Sequence, residues 1–83
     1  MKCVFIFGSI HQVIRAEKVL KGKEIEVDLI PVPREISSDC GVAIELPLRS
    51  REGALHLLEE NRVSIIECYI KDHKGKFRKG DEE

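Results

Sequence analysis

Cys40 stands one residue before Gly41, at the end of the run Ile30-Pro31-Val32-Pro33-Arg34-Glu35-Ile36-Ser37-Ser38-Asp39-Cys40-Gly41. The thiolate is the nucleophilic form of cysteine, and at the ordinary pKa of about 8.5 it is a minor species at neutral pH. Three features can enlarge that fraction at Cys40: the permanent cation of Arg34, the backbone amides from Ser38 to Gly41, and a helix N-terminus beginning after Ser9. A helix dipole contributes about 0.3–1 kcal/mol at an exposed site. One pKa unit is about 1.36 kcal/mol, so Arg34 or several aligned amides must carry most of any large shift. Asp39 acts in the opposite direction. His11, in the first turn of the same helix, is favoured as a neutral ring there and can relay a proton to the thiol. These residues leave two readings open: a displayed, reactive thiol, or an incidental loop cysteine beside a surface histidine.

The surrounding chain must present this loop. Pro31 and Pro33 each fix φ near −65° and bias their predecessors toward extended backbone, so the loop has a stiff entry. Gly41 allows the backbone after the thiol to take positive φ. Before the loop, Ile25, Val27 and Leu29 alternate with Glu24, Glu26 and Asp28, a half-buried strand with an acidic outer face. After it, Val42, Ile44 and Leu46 predict a third strand stopped by Pro47. The apolar run from Cys3 to Phe7 ends at Gly8 and reads as a first strand covered on both faces. Ser9 and Gln12 then form a capping-box pattern. Val13, Ala16 and Leu20 share one face of a helix over residues 10–21, with Gly22 as its C-cap. Ser50 predicts the cap of a second helix over residues 51–61, with Ala54, Leu55 and Leu58 turned inward. Residues 63–70, including Ile65, form a fourth strand. From Lys71 onward the Lys-, Gly- and Glu-rich composition predicts fraying, giving one domain over residues 1–72 and a flexible charged tail over 73–83.

The order β-α-β-β-α-β, with short connections and right-handed crossovers, points to an α+β, ferredoxin-like fold. This is a four-stranded antiparallel sheet with both helices on one face and the third strand between the first and second. Such a layout brings the segment 8–11, with Ser9 and His11, to the same sheet edge as Arg34, Ser37, Ser38, Cys40 and Gly41.

Composition removes several classes. A net charge of −1 lacks the basic excess of a nucleic-acid binder, and three Phe and one Tyr without Trp leave little to stack bases on. No apolar run approaches the roughly 18 residues of a membrane span, and the chain opens without a signal-peptide pattern. Three cysteines cannot pair completely and none forms a C-x-x-C, which predicts reduced thiols in a cytoplasmic setting. Cys3 and Cys68 fall inside strands, where cysteine behaves as a small buried hydrophobe. There is no phosphate-binding glycine loop, no zinc spacing and no serine nucleophile elbow, so neither a metal nor a cofactor is expected.

The strings FGSIHQVIRAEKVL and IPVPREISSDCG resemble those of a family of small bacterial selenium/sulfur carrier-like proteins. Phe7, Ser9, His11, Ala16, Glu17 and Lys18 match the first family pattern. Ile30 to Arg34, with Ser37, Cys40 and Gly41, match the second and more specific one. Gly8 stands where the family often has proline. The resemblance covers about residues 2–70. It implies a carrier rather than a stand-alone enzyme, holding sulfane sulfur or selenium on Cys40 as a persulfide or selenopersulfide. It also implies a cysteine desulfurase-like donor and an acceptor protein. The competing expectation is a non-catalytic interaction module whose loop docks a partner.

Overall fold

The computed structural model describes residues 1–34, 36 and 41–79. Its centre is β1 (Lys2–Ile6), paired antiparallel with β3 (Val42–Pro47) on one side and β4 (Glu67–Lys71) on the other. Outside β3 lies β2 (Asp28–Pro31), and outside β4 lies β5 (Phe77–Lys79), giving the order β2-β3-β1-β4-β5. The third strand does lie between the first and second. Helices α1 (Ile10–Gly22) and α2 (Arg51–Glu60) bury Val13, Ala16, Leu20, Ala54 and Leu58 against Cys3, Phe5, Phe7, Ile44 and Leu46. Both helices therefore cover one face. The continuous apolar run of β1 has its reason on the other, where Val4 and Ile6 are also buried.

Among the described residues the sheet has five strands, not four. β5 falls in the stretch whose composition reads as a tail. Local turn chemistry, which composition averages away, builds it. The Asp72 carboxylate accepts the amides of Lys74 and Lys76, each at 2.9 Å, Gly75 takes φ of 84°, and its N–H donates to the Asp72 carbonyl at 3.0 Å. The Lys76 and Lys74 amides hold the Asp72 carboxyl below its usual range. Glu67 is lowered likewise, first by the Tyr69 hydroxyl at 2.7 Å and then by the Lys79 ammonium at 2.9 Å. A carboxyl with a depressed folded pKa stabilises above its unfolded pKa and loses that contribution as pH falls through the folded value. Below about pH 4, the unfolded carboxylate range, β5 should thus detach before the central strands do. Amide-exchange protection measured against pH should fall at residues 77–79 while residues 3–6 hold. Equal protection at both down to pH ~2, well under that range, would contradict it.

Both helices end alike, and neither uses a glycine. Glu24 takes φ of 61°, its N–H donates to the Lys21 carbonyl and the Ile25 N–H to that of Leu20; Arg62, at φ 59°, stands between the equivalent bonds to Glu59 and Leu58. These are Schellman closures, in which an apolar residue past the turn packs on the last helical turn. Gly22 is the last helical residue and not the left-handed one. A non-glycine residue in the left-handed region costs roughly 1–2 kcal/mol, partly offset by the entropy glycine would lose. Glu24→Gly and Arg62→Gly should each raise stability by up to about 1 kcal/mol, read as a higher urea midpoint at unchanged slope. A lowered midpoint would mean that these side chains contribute more than their backbone strain.

The same closures shift the strand boundaries. Ile25 and Val63 seal helix ends, so β2 begins only at Asp28 and β4 only at Glu67. Leu29 has the anticipated phase, since it pairs with the buried Ile44, yet it is 46% exposed because β2 is the edge strand. Val42, Leu55 and Ile65 are half-buried at the margin of the core. Ser50 makes no side-chain cap: a 3-10 turn over Leu48–Ser50 leads into α2 and already holds Ser50 in helical backbone.

Candidate functional site

The proline-entered loop leaves the sheet through a closed neck. Pro31 pairs with Val42 at the end of β2, and one residue on, the Val32 N–H donates to the Gly41 carbonyl at 3.1 Å. Gly41 takes φ of 82°, and an added Cβ would meet nothing within 4 Å. Glycine is therefore required there by backbone conformation and not by crowding. Inside the neck, the Ile36 N–H donates to the Pro33 carbonyl at 2.9 Å, so the chain turns around Arg34, which is exposed.

Ile36 is the residue that sequence reasoning missed. It is 5% exposed and packs with Val4, Ile6 and Ala43 on the sheet face away from the helices, beside the half-buried Ile30 and Val32. Its signal was the one β-branched apolar residue between Pro33 and Cys40. Ile36 plugs a face that two helices on one side leave uncovered.

On the other side of the edge, Ser9 caps α1 with extended backbone (φ −156°, ψ 161°). Its hydroxyl accepts the Gln12 N–H at 3.4 Å. The reciprocal half of the capping box is not formed among the described residues, where Gln12 Oε1 is buried without a partner. His11 is exposed in the first turn. Ile6 pairs with Ala43, which also pairs with Ile30, so the exit of β1, the start of β3 and the end of β2 lie side by side. Ser9, His11, Arg34 and Gly41 thus belong to one end of the sheet. Among the described residues no hydrogen bond or ion pair links Ser9, His11 and Arg34 to each other. Ser37, Ser38 and Cys40 lie outside the described residues.

The two other thiols are elsewhere. Cys3 pairs with Leu46 near the far end of β3, and both Cys3 and Cys68 are buried beneath the helices. Among the described residues no three metal-ligating side chains come together, and no helix is long and apolar enough to cross a membrane. The sequence profile of the family described as "Putative Se/S carrier protein-like" matches residues 2–70. No curated protein and no solved structure matches the chain.

Proposed function

The chain belongs to the Se/S carrier protein-like family, and on that premise we propose that it carries sulfane sulfur or selenium on Cys40 between a donor enzyme and an acceptor in the cytoplasm. The Cys40 thiolate attacks the outer sulfur of a persulfide on a cysteine desulfurase-like donor. A new S–S bond forms at Cys40, and the donor's own thiolate leaves. An acceptor thiolate then attacks that outer sulfur and releases Cys40. Arg34 and the amides from Ser38 to Gly41 favour the anion at each stage, Ser9 and Ser37 offer hydroxyls to the outer atom, and His11 moves the proton.

The observation that best supports this reading is the tethered loop. A neck hydrogen bond from Val32 to Gly41 at 3.1 Å and the buried Ile36 hold the described part of the loop, on which Arg34 is exposed. Restraint lowers the entropy lost when a second protein closes over the thiol. The interaction-module reading draws on Ile66, which is 63% exposed beside Gly8, and on the exposed Ile10.

Incubation with a cysteine desulfurase and cysteine separates the two. The carrier should gain the mass of one sulfur atom per chain, removable by a thiol reductant. A chain that binds the desulfurase but gains no mass is a docking module.

A further inference from the structure

Cys3 and Cys68 are 65 positions apart in sequence, yet their sulfurs lie 3.8 Å apart. They occupy neighbouring strands on the same face. Cys3 is opposite Ile70 and Phe5 opposite Cys68, so the two cysteines are diagonal neighbours across the β1–β4 pair. A guanidinium completes the cluster: Arg51, in the first turn of α2 with its side chain 16% exposed, hydrogen-bonds the Cys68 sulfur and has its own pKa raised by that contact. Glu52 is the carboxylate beside Arg51, at 3.8 Å and almost fully exposed.

The three groups are not equivalent. Cys68 has the cation and is 6% exposed; Cys3 is 0% exposed. The hydrogen bond with Cys68, and then burial, push the Cys3 thiol well above its ordinary pKa. A cation in contact with one sulfur favours the anion there, which makes Cys68 the candidate nucleophile of the pair and Cys3 its thiol partner at 3.8 Å. A thiolate that a cation stabilises, backed by a second thiol in contact, is the arrangement of an oxidisable dithiol.

We propose that Cys3, Cys68 and Arg51 form a second thiol site, separate from the loop cysteine, in which a small peroxide oxidises the two cysteines to an intrachain disulfide. The Cys68 thiolate attacks the O–O bond, an S–O bond forms, and hydroxide leaves with the proton that Cys68 gave up on ionising. Cys3 then attacks the sulfenyl sulfur, the S–S bond forms, and the oxygen departs as water with the Cys3 proton. Two thiols lose two electrons and two protons, and one peroxide becomes two waters. The low exposure of Cys68 selects an oxidant of this size over a bulky disulfide.

Closing the bond brings the sulfurs from 3.8 Å to about 2.05 Å. Diagonal strand neighbours lie about 7–8 Å apart, beyond the roughly 6.8 Å that disulfides usually span between Cα atoms, so closure requires the two strands to shift toward each other. Closure strains the β1–β4 pair, and thiols should reverse it readily.

The test uses Cys40→Ser, which removes the loop thiol, so the result stands whether or not the protein carries sulfur. Treated with hydrogen peroxide in its folded state, this variant should lose two hydrogens of mass. Non-reducing peptide mapping should link Cys3 to Cys68, and dithiothreitol should restore both thiols. In Cys40→Ser/Cys3→Ala, dimedone should capture the sulfenic acid on Cys68. Arg51→Gln should slow oxidation about tenfold or more, the consequence of losing a cation worth a pKa unit or more, with far-UV circular dichroism unchanged. Thiols that persist in the folded protein, or Cys68 overoxidised to sulfinic acid without linkage to Cys3, would overturn the proposal. Equal rates with and without the Arg51 guanidinium would remove Arg51 from it.

Discussion

Cys40→Ser is expected to abolish sulfur loading completely, while Cys3→Ala and Cys68→Ala load as the parent does. The contrast rests on access. A persulfide donor is a protein, and its outer sulfur must be met in line by the accepting thiolate. Cys3 and Cys68 lie beneath both helices in the apolar core, where no protein active site can reach them without unfolding. Cys40 immediately precedes Gly41, which is exposed at the neck between Val32 and Gly41. Peptide mapping after incubation with a desulfurase and cysteine should place the added sulfur on the Cys40 peptide alone. Loading that survives Cys40→Ser, or distributes over Cys3 and Cys68, would end the carrier mechanism at this loop and leave partner docking as its role. The peroxide chemistry of the buried pair is read in the absence of Cys40, so each proposal can fail without the other.

The order of elements was legible because each carries its own period. Val13, Ala16 and Leu20 repeat at helical spacing, and Val42, Ile44 and Leu46 at strand spacing; crossover geometry then limits the strand order to very few arrangements. What stayed hidden depends on single hydrogen bonds or on distant partners. β5 exists because one carboxylate, Asp72, organises a turn in a segment whose charge content alone reads as disorder. Gly22 is the last helical residue of α1 and not its cap, because Glu24 accepts the left-handed conformation that sequence reasoning assigns to glycine. Leu29 had the right phase but the wrong burial, since phase is local and edge position is global. At the site, the cap by Ser9 and the positive φ of Gly41 follow from local rules, and the shared sheet edge from crossover geometry. The contact between Cys3 and Cys68 does not. It requires the register of β1 on β4, which no short window of sequence contains.

Ile36→Ala is expected to destabilise the protein by about 2–4 kcal/mol, a large share of the total for a domain this small. Ile36 is 5% exposed against Val4, Ile6 and Ala43, and truncation removes most of an apolar side chain and leaves a void next to the central strand. The lower part of the range applies if the loop settles into the void, because the cost of a cavity falls with how far its walls collapse. Two modes of loss are distinguishable. If the loop peels away as a unit, the Val32 amide, which bonds to Gly41 across the neck, should lose exchange protection while the β1 amides keep theirs. If the whole domain weakens, all should fall together. The first mode is expected, with sulfur loading slowed and alkylation of Cys40 by a small reagent retained, since only the protein donor needs an ordered loop. A variant that keeps the parent's urea midpoint and loads sulfur at the parent's rate would show that Ile36 fills space under the sheet without positioning the cysteine.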